Sequence, residues 1–202
     1  MFFLQINFES WFEGHFAASK YKVSQGITNE NEEQKKEKNF GAALTHFGLQ
    51  TLNNLVVDHL LKEEIPACGM APFGSWITKK EDKEFDNFQT LKIISKIVKS
   101  GMIPVLHGDV TMDEDLTFAI LSGDLILKSI AKKFKCKRAV FLTDVFGVYT
   151  LPPNEKGSEL IPEIKVKENG ETDSLPITKN TREHDVTGGT VFVVVSWFLI
   201  IL

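Results

Sequence analysis

A chain of 202 residues that is 43% hydrophobic and 25% charged has enough apolar content to close one sizeable core, which excludes a collagenous or wholly disordered polypeptide. Its formal net charge of -4 leaves no basic footprint for a nucleic-acid partner. Two isolated cysteines, Cys68 and Cys136, lack metal-ligand spacing and are too few for a disulfide framework, so both are expected as reduced thiols of a cytoplasmic protein.

Taken in order, Met1 to Phe8 is apolar in character but has no basic start, long apolar core or small-residue cleavage site, so no targeting segment is expected. Next comes Gly14-His15-Phe16. A histidine beside aromatic residues ordinarily packs or faces solvent, and nothing local assigns His15 otherwise. Thr28 to Asn39, a run of Asn, Glu, Gln and Lys, reads as a solvated loop or linker. Between Leu44 and Leu61, apolar residues at Leu52, Leu55, Val56, Leu60 and Leu61 form a helical stripe that should stop near Lys62-Glu63-Glu64. His46 and His59 on this helix read as surface or satisfied histidines. A short strand over Ile65–Met70 and a loop at Pro72-Phe73-Gly74 follow.

Thr78 to Phe85 is charged and turn-like, and Phe88, Leu91, Ile94, Ile97 and Val98 then mark a second helix that stops at Ser100-Gly101. Ile103 to Leu106 and Ala139 to Leu142 are β-branched or aromatic runs that end abruptly in small and acidic residues. Buried parallel strands read this way when their C-terminal ends open onto a polar crevice. The first run delivers His107-Gly108-Asp109 and the second Thr143-Asp144. Between them, Val110 to Thr117 reads as an acidic turn or hairpin, since Asp113, Glu114 and Asp115 lack the donor spacing of a calcium loop. Ser122-Gly123-Asp124 opens a helix that Ser122 can cap, with Leu125, Leu127, Ile130 and Ala131 inward. Lys132, Lys133, Lys135, Lys137 and Arg138 complete its negative end.

Alternation of helix and strand argues for a parallel sheet covered on both faces. After Tyr149, Pro152-Pro153 breaks regular structure, Leu160 to Val166 suits a strand or hairpin, and Asp185-Val186-Thr187-Gly188-Gly189 reads, taken alone, as an ordinary turn. The apolar tail from Val191 to Leu202 reaches only about 18 Å as a helix, against about 30 Å for a bilayer core, so no membrane span is expected.

The ordered set PVLHGDV, ILSGD, FLTDVFGVY with Pro152-Pro153, and HDVTGG, preceded by Gly14-His15-Phe16 and Ile65-Pro66-Ala67, resembles the amino acid kinase family and within it the isopentenyl phosphate kinases. The resemblance implies a three-layer αβα sandwich with a mainly parallel open sheet, incomplete at the N- and C-termini. It assigns residues 1–189 to a kinase-like domain and leaves 190–202 as an apolar tail departing from the family. It further implies ATP-dependent phosphorylation of isopentenyl phosphate with Mg2+, in a cytoplasmic homodimer acting on a small-molecule phosphate.

On the same resemblance, His15 and Asp124 take the catalytic roles. Gly14, His15 and Gly123 bind the acceptor, while Asp144, Tyr149, Gly188 and Gly189 contact the nucleotide. The family's N-terminal glycine-rich loop and its lysines have no counterpart here, and Ser10-Trp11-Phe12-Glu13 departs from its pattern before the Gly-His pair. Impaired turnover of a shortened kinase is therefore expected. The other readings are a relative acting on a carboxylate or phosphonate, and a non-catalytic nucleotide-binding or dimerisation remnant of the fold.

Overall fold

A computed structural model of the chain describes residues 16–25, 31–79, 88–136, 138, 140, 146–151 and 153–164. The chain divides into two compact units, residues 1–126 and 127–202. The first contains helix α1 (Glu32–Lys62), strands β1 (Ala67–Met70) and β2 (Ile77–Thr78), helix α2 (Phe88–Lys99), strands β3 (Ile103–Leu106), β4 (Asp109–Asp113) and β5 (Thr117–Leu121), and the start of helix α3 (Gly123–Phe134). Before α1, a helical turn spans residues 16–20.

Helix α1 begins earlier than its apolar stripe indicates. The Gln34 amide donates to Asn31 Oδ1 at 2.8 Å and the Asn31 amide to Gln34 Oε1 at 3.0 Å, a reciprocal cap that satisfies two otherwise unpaired donors. Glu32 and Glu33 in the first turn suit the positive end of the helix. The loop expected over Thr28–Asn39 is thus helix from Glu32 onward, because Glu, Gln and Lys are strong helix formers even without apolar neighbours.

The buried face of α1 is only in part the expected one, for Val56 is buried and Leu60 packs beside it. Leu55 and Leu61 are exposed, whereas Lys38, Gly41, Ala42, Thr45, Gly48, Leu49, Asn53 and Val56 are buried. Small residues bring the helix axis close to what it covers. Near its N-terminus, Ala42 joins a cluster with Ala18, Val23, Val110 and Phe118, and near its C-terminus Val56 packs on Ala67 and Val105.

Strands β1 and β3 pair in parallel, from Ala67 opposite Ile103 to Met70 opposite Leu106. A parallel pair needs a crossover, and α2 lies within it, packed on β3. Leu91 and Ile94 of α2 are buried, and the turn to β3 uses Gly101 at φ +87°, a left-handed conformation that favours glycine. A second sheet has the order β2-β4-β5, with β2 parallel to β4 and β4 antiparallel to β5. The α/β class and the hairpin after Asp109 are as the sequence indicates.

In the second unit, α3 continues to Phe134, and Tyr149 forms an antiparallel bridge with Leu160. The Val148 carbonyl accepts from the Ile161 amide at 2.8 Å and the Thr150 amide donates to the Glu159 carbonyl at 2.9 Å, so the start of the segment expected as strand or hairpin over Leu160–Val166 pairs back onto residues 148–150. Of the strand expected over Ala139–Leu142 only Val140 is described, exposed and in no strand, and the domain limit at residue 189 lies outside the described residues. Cys68 and Cys136 are free thiols. No helix among the described residues is long and apolar enough to cross a membrane.

Close packing of α1 on the preceding segment makes Gly41 a sensitive position, since a Cβ there would collide with Cβ of Tyr21, which cannot swing away. Gly41→Ala is expected to lose about 1–3 kcal/mol in urea unfolding, although alanine is the better helix former.

Candidate functional site

Because β1 and β3 are parallel and in register, their C-terminal ends emerge side by side. Such strand ends are where open α/β sheets place their ligands. The loop carrying Phe73 follows β1, and the turn His107-Gly108 follows β3.

That turn meets the start of α3 backbone to backbone. A Cβ on Gly108 would lie 2.9 Å from the Gly123 nitrogen and 3.1 Å from the Leu121 carbonyl oxygen, neither of which can move without shifting the chain. The reverse test differs, for a Cβ on Gly123 would meet only the Gly108 nitrogen, at an ordinary 3.8 Å. Packing therefore demands glycine at 108 and not at 123. Ser122 Oγ accepts from the Leu125 amide at 3.3 Å, the cap its position indicates, and Asp124 stands in the first turn of α3.

The next residue carries the site's main electrostatic feature. Asp109 is 1% exposed. Its Oδ1 accepts from the Val110 amide at 2.7 Å, and its Oδ2 lies 2.7 Å from Nδ1 of His46 on α1. Burial pushes the Asp109 carboxyl above its ordinary value, against the opposing pull of His46, His107 and the Val110 amide. His107 is pushed below the ordinary imidazole value by burial, with the Asp109 carboxylate opposing. Its Nδ1 lies 2.9 Å from the Gly108 carbonyl oxygen, so the neutral ring carries its proton there and leaves Nε2 as an acceptor.

The structure thus brings together two of the expected clusters, His107-Gly108-Asp109 and Ser122-Gly123-Asp124. Of the remaining expected site residues, Tyr149 lies in the second unit on its bridge to Leu160. Gly14, His15, Asp144, Gly188 and Gly189 lie outside the described residues. The acidic run after β4 is a turn as expected: Asp113 Oδ1 accepts from the amides of Asp115 at 2.9 Å and Leu116 at 2.8 Å, and its Oδ2 from the Thr78 hydroxyl at 2.7 Å.

His59 is an exposed histidine on α1, with Nδ1 2.7 Å from the Leu55 carbonyl oxygen, as read. His46 is the residue whose role the sequence leaves unspecified. It is satisfied, as read, but by a buried carboxylate 63 positions away, a pairing with no local signal.

A profile of the amino acid kinase family matches residues 13–201. The isopentenyl phosphate kinase of Arabidopsis thaliana is 37% identical over 188 residues, covering 87% of this chain and 54% of its own length. That of Methanothermobacter thermautotrophicus is 34% identical over 180 residues, covering 88% of this chain and 64% of its own. The chain therefore spans between about half and two thirds of these relatives. A solved structure of isopentenyl phosphate kinase superposes with a TM-score of 0.67 at 33% identity, over 73% of this chain and 59% of that one.

Two outcomes are expected from the geometry. Gly108→Ala should lose about 1–3 kcal/mol of stability by urea unfolding, while Gly123→Ala, at a helix start with room for a methyl group, should be neutral or gain up to about 1 kcal/mol. The lowered His107 value means that the folded state binds fewer protons than the unfolded one just below the ordinary imidazole value. Its contribution is present above that value and is lost as pH falls, so His107→Asn should flatten the fall in melting temperature between about pH 7 and about pH 5.

Proposed function

The chain belongs to the amino acid kinase family, and on that premise we propose that it transfers the γ-phosphoryl group of ATP to isopentenyl phosphate, giving isopentenyl diphosphate and ADP. An oxygen of the acceptor phosphate forms the new bond to the γ-phosphorus as the bond to the β,γ-bridging oxygen breaks. The observation that carries the reading is Gly123: a glycine that packing does not require, at a helix start beside the turn closing β3. The similarity to isopentenyl phosphate kinases over most of this chain supports isopentenyl phosphate as the acceptor.

The chemistry asks mainly for positioning and charge neutralisation. The acceptor phosphate is already anionic, so no strong base is needed. Gly123 lets it approach the amides at the N-terminus of α3, where aligned peptide dipoles favour an anion. His15, with Gly14 before it in sequence, holds and orients the attacking phosphate in this reading. Asp124 orients the cationic partners of the transferring group. Asp144, Tyr149, Gly188 and Gly189 form the nucleotide side in this reading. ATP with Mg2+ supplies the activated phosphoryl group with its charge screened. The family resemblance also supports a cytoplasmic homodimer, which light scattering on the purified protein reads.

A coupled ADP-release assay with isopentenyl phosphate and Mg-ATP tests the proposal. Turnover supports it, and a rate on the order of 1–100 per second would refute the impairment expected of a shortened kinase; Gly123→Ala should then raise KM for isopentenyl phosphate by about tenfold while remaining folded. ATP binding without turnover selects the non-catalytic alternative, and failure to bind either substrate overturns both.

A further inference from the structure

His46 and Asp109 are joined across the fold in a way that neither helix formation nor strand pairing requires. Asp109 opens β4 directly after the His107-Gly108 turn, and its carboxylate is enclosed, with one oxygen on its own strand's Val110 amide and the other on His46. The His46 ring also lies against Phe73, with centroids 4.8 Å apart and planes inclined by 36°. Phe73 belongs to the loop leaving β1, so one imidazole touches the segments that leave both parallel strands.

As a stability device the pair is poorly chosen. Burial raises the Asp109 carboxyl despite every favourable contact it makes, so the folded state gains nothing from its ionisation. An apolar pair of similar volume would hold α1 against β4 without that opposition. What the pair supplies is direction: a short bond from a fixed helix to a carboxylate one residue beyond Gly108.

We propose that His46 and Asp109 form a positioning pair for the acceptor phosphate, fixing the His107-Gly108 turn and through it the Gly123 face against which the phosphate rests. The inference deepens the phosphotransfer reading and rests on it. Neither residue touches the reacting atoms. The Asp109 carboxylate, as an anion, accepts from His46 Nδ1 and the Val110 amide, and the turn is set by where that carboxylate is held. Among the described residues, the titratable groups acting on Asp109 are His46 from α1 and His107 from its own turn.

The test uses His46→Leu, which removes the donor, and His46→Asn, which keeps an amide donor near the position of Nδ1. In the ADP-release assay, His46→Leu should lower kcat/KM for isopentenyl phosphate by about ten- to a hundredfold with KM for ATP unchanged, and His46→Asn should restore most of it. The acid limb of the pH profile should move to higher pH in His46→Leu. His46 opposes the rise of the Asp109 carboxyl, and without it the anion is lost sooner as pH falls.

Amide resonances of Gly108 and Gly123 should shift in His46→Leu and stay near their wild-type positions in His46→Asn. A merely structural role would lower the melting temperature of His46→Leu and leave kcat/KM, the pH profile and both amides in place, overturning the inference. Absence of turnover in the wild-type protein overturns the phosphotransfer reading instead, and the glycine amides then decide the positioning pair alone.

Discussion

Backbone meets backbone where the turn after β3 touches the start of α3, and the geometry of the first unit follows from that contact. Gly108 has no freedom to carry a side chain, because the Gly123 nitrogen and the Leu121 carbonyl occupy the space. The chain then turns immediately into β4, so the residue after the glycine is carried into the interior whatever its polarity. That residue is Asp109, and an enclosed carboxylate must find donors or lose its charge. One narrow turn therefore produces both a close approach and a buried acid.

Helix α1 is the wall on which those demands are met. Its buried face carries three long-range polar anchors: Lys38 donates to the carbonyls of Gln25 at 3.1 Å and Leu116 at 3.0 Å, His46 meets Asp109, and Asn53 donates to the Val105 carbonyl at 3.1 Å. They lie about two turns apart, near every second repeat of the helix. Each bonds a different segment, in order the chain before α1 and the β4–β5 turn, the start of β4, and strand β3. Small neighbours such as Gly41, Ala42 and Gly48 let the helix come close but would allow it to slide. Directional bonds at three heights fix its register, which apolar contact alone does not do.

The legible parts of the fold are those with local causes. Helix α2 has an apolar period and a glycine stop, α3 has a serine cap, and β3 has a compact apolar run, so each is readable from neighbours in sequence. The start of α1 carried its signal in Asn31 and Gln34, but a polar composition hid it from a reading based on hydrophobic period. Its buried face was unreadable for a different reason. Lys38 and Asn53 are buried because distant groups satisfy them, and those partners are set by the tertiary fold, whereas buried Thr45 donates to the Gly41 carbonyl one turn back in the same helix. The candidate site divides the same way: its glycine and aspartate clusters are visible as motifs at strand ends, whereas the link from His46 to Asp109 spans 63 residues and exists only once α1 has docked.

Electrostatics gives that link a meaning beyond docking. Phosphoryl transfer between two phosphates brings like charges together, and any further anion nearby opposes it. A bare carboxylate one residue from the turn facing Gly123 would be such an anion, in surroundings of low dielectric where Coulomb repulsion is strong. Held by the His46 imidazole and the Val110 amide, the same carboxylate has both oxygens engaged. His107 adds no charge of its own, since burial favours the neutral ring, whose Nδ1 proton is donated to the Gly108 carbonyl. What the turn meets is then backbone and the start of a helix dipole, the kind of surface the proposed phosphate acceptor would require.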